Sequence, residues 1–433
     1  MTITILIAAL TCLVMIMGVL FFPKLKLGKV QVDSYWVVAL LGALLLILSR
    51  QVGLPTVGRA LLSNDAINPL KILVLFISMT ILSIYLDEFG FFRYLANATL
   101  KRAHTSQTKL FLYLYLTVSI LTVFTSNDII ILSFTPFICF FAKNARINAL
   151  PYLAAEFVAA NTWSMALVIG NPTNIYLATA NGIDFVHYLN VMVLPTLAAG
   201  LVAFVLLCLM FRKQLSAPIT GEAEDIVITD WMRLALGLVH LGVCTVFLVI
   251  SSYIHVEMWI VAGCSAVSLF FWAAVLSGLR REVPVGLVAC LRRAPWQLIP
   301  FVVSMFVMTI ALSEKGVTQA IAHLLGQDGS LLKYGIASFL TANIVNNIPM
   351  SVLFCSIIDA AQLEEGLKAV YATIIGSNIG AFLTPIGALA GIMWANILNE
   401  HGLRFGYRDF LKIGVMIAVP TLLVALGVLG VMV

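Results

Sequence analysis

Charge is what this chain has least of. Only 10% of its 433 residues are Asp, Glu, Lys or Arg, while 61% are hydrophobic and the mean hydropathy is +1.05. Soluble domains carry about 25% charged residues. No soluble core could hide so much apolar surface, so lipid is the solvent. Apolar stretches without charge cover residues 3–22, 191–211, 258–278 and 413–433. Each reaches the roughly 20 residues that a helix needs to span the hydrocarbon.

Other absences narrow the function. No basic residue precedes the first stretch and no small-residue cleavage site follows it, so it is expected to be a retained helix. The phosphate-binding pattern Gly-x-x-x-x-Gly-Lys-Ser/Thr does not occur, and no soluble segment could host it. ATP therefore cannot drive this chain alone, and no cofactor is expected. No zinc-protease pattern His-Glu-x-x-His appears, and no nucleophile–base pair stands out, so the chain is not read as an enzyme. The seven cysteines (Cys12, Cys139, Cys208, Cys244, Cys264, Cys290 and Cys355) fall in or beside apolar stretches without metal-type pairing. They read as packing residues. The net charge of +5 sets orientation in a membrane and does not indicate nucleic acid.

Spans are expected near residues 2–22, 34–50, 70–87, 189–211, 231–253, 257–279, 297–312 and 411–432. Between them lie four apolar but interrupted segments, at 110–142, 151–180, 335–359 and 368–398. The polar stretch 212–230, with Pro218, Gly221, Glu222, Glu224 and Asp225, divides the chain into halves 1–211 and 231–433. Suppose the N-terminus is outside and 110–142 and 335–359 are hairpins that enter and leave on one side. Nineteen Lys and Arg residues then lie inside, against six outside (Arg50, Arg59, Lys71, Lys315, Lys333 and Lys368). That bias obeys the positive-inside rule and puts the linker 212–230 in the cytoplasm. The same topology inverts one half relative to the other. Ile84, Leu86, Glu88, Gly90 and Ala96 recur as Ile310, Leu312, Glu314, Gly316 and Ala322, at a constant offset of 226. The expected fold is an all-α membrane protein with about ten transmembrane segments. It holds two inverted repeats, each with a re-entrant helical hairpin and a broken helix, as in alternating-access transporters.

The interruptions carry the chemistry. Hairpin one turns at Thr125-Ser126-Asn127-Asp128, with Thr135-Pro136 in its returning limb. Hairpin two turns at Asn343-Ile344-Val345-Asn346-Asn347, then Pro349. Each half then carries a second break: Gly170-Asn171-Pro172-Thr173-Asn174, and Gly376-Ser377-Asn378-Ile379-Gly380 followed by Thr384-Pro385-Ile386-Gly387. Polar breaks at bilayer depth are costly unless they line a wet cavity or are buried in protein. Half-helix ends there offer N–H and C=O groups to solutes and ions, and Asn both donates and accepts. The expected substrate-binding residues are Ser126, Asn127, Asn171, Thr173, Asn174, Asn346, Asn347, Ser377, Asn378 and Thr384. The structural alternative is that these residues only cap helix ends. Asp128 is the expected ion-coupling group, because a carboxylate at membrane depth is a functional-site hypothesis by default. Glu156 and Asp359 are expected near span ends within reach of water, and Asp87 and Glu88 at the inner interface.

These residues resemble the arsenite efflux permeases of the ion transporter superfamily, which also holds sodium–proton antiporters and carboxylate symporters. The resemblance runs through Leu86-Asp87-Glu88-Phe89-Gly90-Phe91-Phe92, Asn127-Asp128 with Thr135-Pro136, and Arg293-Ala294-Pro295-Trp296-Gln297. It continues in Asn346-Asn347-Ile348-Pro349 and Thr384-Pro385-Ile386-Gly387. It implies an inner-membrane carrier that expels arsenite and antimonite by proton exchange, alone or with a separate soluble ATPase. It also implies binding roles for Asn127, Asp128, Asn346, Asn347 and Thr384. The word Gly170-Asn171-Pro172-Thr173-Asn174 is closer to the carboxylate and anion branches. Two alternatives therefore stay open: a sodium- or proton-coupled carboxylate or inorganic anion carrier, and a sodium–proton antiporter.

Overall fold

A backbone surrounded by lipid has no water to bond, so apolar segments close their hydrogen bonds within helices. The computed structural model describes every residue except 23, 28–29, 63–67, 104–105, 217–227, 327 and 404. The polar centre of the linker, from Pro218 to Asp225, and also Lys29, His104 and Arg404, lie outside the described residues.

The first half runs α1 (Thr2–Phe21), an antiparallel strand pair β1 (Lys24–Leu27) and β2 (Val30–Asp33), α2 (Ser34–Leu48), α3 (Leu54–Leu62) and α4 (Pro69–Glu88). It continues with α5 (Phe91–Ala103), α6 (Gln107–Phe124), α7 (Asn127–Asn144), α8 (Leu150–Trp163), α9 (Pro172–Ala180) and α10 (Phe185–Leu215). The second half runs α11 (Trp231–Ile254), α12 (Met258–Leu279), α13 (Val285–Arg293), α14 (Leu298–Glu314) and α15 (Val317–Leu325). It ends with α16 (Ser330–Val345), α17 (Asn347–Ala361), α18 (Gly366–Gly380), α19 (Leu389–Glu400) and α20 (Tyr407–Met432). All eight expected spans are helices. The strand pair and the short helices α3 and α13 were not expected from the apolar pattern, which is silent on pieces this short.

Seven stretches of helix among the described residues are long and apolar enough to cross a membrane, and α1, α2, α16 and α17 supply shorter apolar helices. Leu6, Leu10, Leu13 and Met17 of α1 and Val267, Phe271 and Trp272 of α12 are exposed, as lipid-facing side chains should be. The chain is an all-α membrane protein.

The same order of elements occurs twice, and contacts fix its direction. Along α8, Tyr152 bonds Gln107 at the start of α6, and Trp163 bonds Tyr115 farther along it. Against α7 the order reverses: Glu156 meets Thr135, and Asn161 meets Asn127. Helices α6 and α7 therefore run antiparallel, as a hairpin turning at Thr125 and Ser126. In the second half the rings of Tyr334 on α16 and Phe354 on α17 meet at 6.4 Å, across a turn at Asn346. The α8 start lies near the α6 start, and Thr108 of α6 bonds Leu215 at the end of α10. The α18 start instead lies at the beginning of α10, where Tyr371 packs on Tyr188. Equivalent helices thus start at opposite ends of the bundle, and the repeats are inverted. They also interlock: α2 packs on α14, α12 on α4, α9 on α17 and α19 on α7.

The recurring glycine has a backbone cause. Gly90 and Gly316 have φ of 78° and 74°, each ending the α4- or α14-type helix before the amphipathic helix that leads to a hairpin. Only glycine adopts that region without cost.

Gly376 to Gly380 was expected to unwind α18, and it does not. These residues are helical, and the break falls at 381–388. Glycine serves close packing here. A Cβ at Gly376 would collide with the Gly335 carbonyl and the Ser338 hydroxyl, and one at Gly380 with the Phe339 carbonyl. Gly376→Val is expected to destabilise the protein by about 1–3 kcal/mol through overpacking. The check is the thermal unfolding midpoint in detergent, which should fall well below that of wild type.

Candidate functional site

Both helix breaks lie in the interior. The first spans 164–171 between α8 and α9, and the second spans 381–388 between α18 and α19. Asn171 caps α9, its Oδ1 accepting from the Thr173 N–H at 3.1 Å, and Pro172 fills the first position, where no N–H is needed.

One residue of the second half joins both sides of the first break. The Asn378 amide donates to Asn174 Oδ1 at 2.6 Å and to the Ile374 carbonyl at 2.8 Å. Its oxygen accepts from Ser164 Oγ at 2.9 Å and Asn171 Nδ2 at 3.0 Å. Asn174 Nδ2 in turn donates to the Ser164 carbonyl at 2.8 Å. Each of these side chains is buried. Among the described residues the network's side chains are uncharged, Asn and Ser with the Thr173 hydroxyl against Asn171.

The hairpin tips flank it. Asn127 donates to Asn161 Oδ1 at 3.1 Å, and Ser126 lies against Asn127 at 3.5 Å. At the second tip Asn346 has φ of 76°, a left-handed conformation uncommon for a residue with a side chain. It is held by its Nδ2–H to the Ile386 carbonyl at 3.0 Å and by the Ile348 N–H to its Oδ1 at 3.3 Å. The Asn347 N–H donates to the Gly387 carbonyl, and Thr384 Oγ1 to Asn343 Oδ1 at 2.6 Å. Thus the structure brings Asn171, Thr173, Asn174 and Asn378 into one cluster. Ser126 and Asn127 sit at one tip, and Asn346, Asn347 and Thr384 at the other. Ser377 neighbours Asn378 with a buried hydroxyl that has no hydrogen-bond partner among the described residues, as does Thr162 beside Asn161.

Asp128 faces elsewhere. It lines a cavity of about 260 Å³ together with Tyr35, Thr80, Arg293, Gln297 and Asn396. Its carboxylate has no hydrogen-bond partner among the described residues. The cavity lies at the Glu88 end of α4, where Arg293 pairs with Asp87 at 2.5 Å and Glu88 at 3.3 Å. Ser133 of α7 donates to the other Asp87 oxygen at 2.7 Å, so this cluster ties the hairpin to α4 and α13. A second cavity, of about 500 Å³, opens at the other end of α4 beside Lys71, Asp184, His255 and Glu257. There Lys71 donates to Glu257 at 2.7 and 3.0 Å. That hydrogen bond holds the Glu257 carboxyl below its ordinary value.

Sequence reasoning placed Glu156 near water, and the structure corrects this. Glu156 is 0% exposed, between α7, α8 and α19. It missed Asn161 and Ser164 as well, which stand in mostly apolar text ahead of the quoted break, whereas Asn343 was quoted in the second hairpin turn but not given a binding role.

The family model described as citrate transporter, CitMHS, matches residues 30–370 of this chain. The chain is 28% identical over 374 residues to the arsenical pump membrane protein of Escherichia coli strain K12, covering 82% of this chain and 85% of that protein. It is 25% identical over 424 residues to the putative arsenical pump membrane protein of Bacillus subtilis strain 168, covering 90% and 92%. Among solved structures, the Alcanivorax borkumensis YdaH transporter matches with a TM-score of 0.54 over 99% of this chain and 97% of that one. At 14% identity that likeness is one of fold.

Proposed function

We propose that this chain, which belongs to the citrate transporter family, exports trivalent arsenic or antimony as the neutral trihydroxide in exchange for protons. Membership makes it a multi-pass membrane permease. The observation that supports the substrate is the uncharged crossing at Asn378, built from amide and hydroxyl groups. Hydroxyl and amide groups suit a small solute that both donates and accepts, and no basic side chain among the described residues enters the cluster. A neutral solute gains nothing from the membrane potential, so uphill export needs a coupled ion. Asp128, in the cavity beside Arg293, is the group assigned to carry it. In the inner membrane, with the N-terminus outside, this cavity opens to the cytoplasm, on the side rich in Lys and Arg.

A second reading has support of its own. The family description and Arg292 and Arg293 at the cavity wall favour a carboxylate or inorganic anion, carried with sodium or protons. One experiment separates the two. Inverted vesicles containing the wild-type chain are given a proton gradient, and uptake of arsenite and of citrate is measured. Gradient-driven arsenite uptake is expected. Citrate uptake without arsenite uptake would replace the first reading with the second.

A further inference from the structure

Glu156 is the one fully buried carboxyl among the described residues. It sits where the first hairpin, α8 and α19 of the opposite repeat meet. A lone charge in such a place is expensive, and carboxyls at membrane depth mark ion pathways and proton relays. No cation among the described residues accompanies this one. Thr135 Oγ1 lies 2.9 and 3.1 Å from its two oxygens, and Trp394 Nε1 donates to Oε2 at 3.3 Å. A hydroxyl can donate to a carboxylate or accept from a carboxylic acid. The pocket therefore satisfies either protonation state without rebuilding. Cys139 of α7 is its titratable neighbour. Tyr152, one turn earlier on α8, is tied to Gln107, and α19 bonds Glu156 through Trp394.

A path connects this pocket to the Asp128 cavity. Asp128, Leu132, Thr135 and Cys139 fall at i, i+4, i+7 and i+11, one stripe of α7. Asp128 and Leu132 line the cavity, and Thr135 touches Glu156. Along the helix Asp128 and Thr135 are about 10 Å apart. Just past Thr135, Pro136 has no N–H, so the Leu132 carbonyl, which lies between Asp128 and Thr135, lacks its usual helical donor and can accept from water.

We infer that Glu156 is a second proton-binding residue of the transport cycle, loaded through the Asp128 cavity along this stripe, so that each turnover exchanges two protons. In the step itself a proton leaves hydronium or the Asp128 carboxyl, crosses by water and the Thr135 hydroxyl, and binds a Glu156 carboxylate oxygen. No bond to carbon changes. The inference rests on the reading of the chain as a proton-coupled exporter.

The test has two arms. In vesicles clamped at zero membrane potential, the pH difference that just stops net flux against a tenfold arsenite gradient is found. Two protons per solute predict about half a pH unit, and one proton about a full unit. Wild type is expected at about half a unit, Glu156→Gln at about one, and Glu156→Asp near wild type. A wild type balanced at a full unit overturns the inference, as does a Glu156→Gln variant indistinguishable from wild type. The second arm needs no substrate. Infrared difference spectra of the purified wild-type protein should show a buried carboxylic acid band that changes with pH and is lost in Glu156→Gln and shifted in Thr135→Val. Absence of that band overturns the inference. If wild type moves no arsenite but shows the band, the substrate reading has failed and the proton site stands.

Discussion

Asp128→Asn should reduce gradient-driven arsenite accumulation to simple equilibration, with the inside-to-outside ratio near unity. A pH gradient of one unit stores about 1.4 kcal/mol per exchanged proton, which sustains about a tenfold ratio for each proton coupled. Asparagine has the shape of aspartate and cannot carry the proton. Because Glu156 is reached through the same cavity, the variant should lose both proton steps at once. Glu156→Gln should lose only one. The fold should tolerate the change. Asp128 lies in the first turn of α7, where a negative charge is worth only about 0.3–1 kcal/mol, and its carboxylate makes no hydrogen bond among the described residues. Asp359→Asn, at the exposed end of α17, is the control and should accumulate as wild type does. Asp128→Asn vesicles that still hold a wild-type ratio would remove Asp128 from the coupling path.

Helix positions were legible because lipid imposes one rule on long apolar runs, and every such run became a helix within a few residues of its expected ends. The inversion was legible through charge, since the positive-inside count holds only with two hairpins. Contacts between Tyr371 and Tyr188, and between Thr108 and Leu215, then gave the same answer independently. The resemblance to arsenite efflux permeases agrees with the relatives named as arsenical pumps and with the family matched. Two kinds of error had physical causes. Glycine carries two signals, and Gly376 was read for unwinding when it serves close approach of α18 to α16. Burial of a single carboxyl depends on which helices surround it. Glu156 stands in a helix of ordinary apolar text, and α7 of its own repeat and α19 of the other both bond it. The separation of Asp128 from the asparagine cluster is likewise a matter of helix phase. Asn127 and Asp128 are neighbours in sequence, yet consecutive helical residues point about 100° apart, so one faces Asn161 and the other the cavity.

That separation suggests a division of labour. Solute would bind where the two breaks meet, and protons would bind on α7 between the cavity and α19. Coupling then requires that the crossing be held together as one unit, and Asn378 holds it. An amide side chain has two donors and two acceptor positions. Asn378 uses all four, on Asn174, Ile374, Ser164 and Asn171. Asn378→Leu keeps the volume and removes all of them. Asn171 Nδ2 would lose its acceptor and Asn174 Oδ1 its donor, both in a buried site. Each stranded buried group costs about 1–3 kcal/mol, so the variant is expected to lose about 2–6 kcal/mol of stability. The thermal midpoint in detergent should drop sharply, and transport should be lost in whatever protein remains folded. Asn396→Leu, an asparagine on the cavity wall outside this network, should shift the midpoint little. Equal midpoints for Asn378→Leu and wild type would mean that the two repeats do not depend on this crossing, and the central site would have to be sought at the hairpin tips instead.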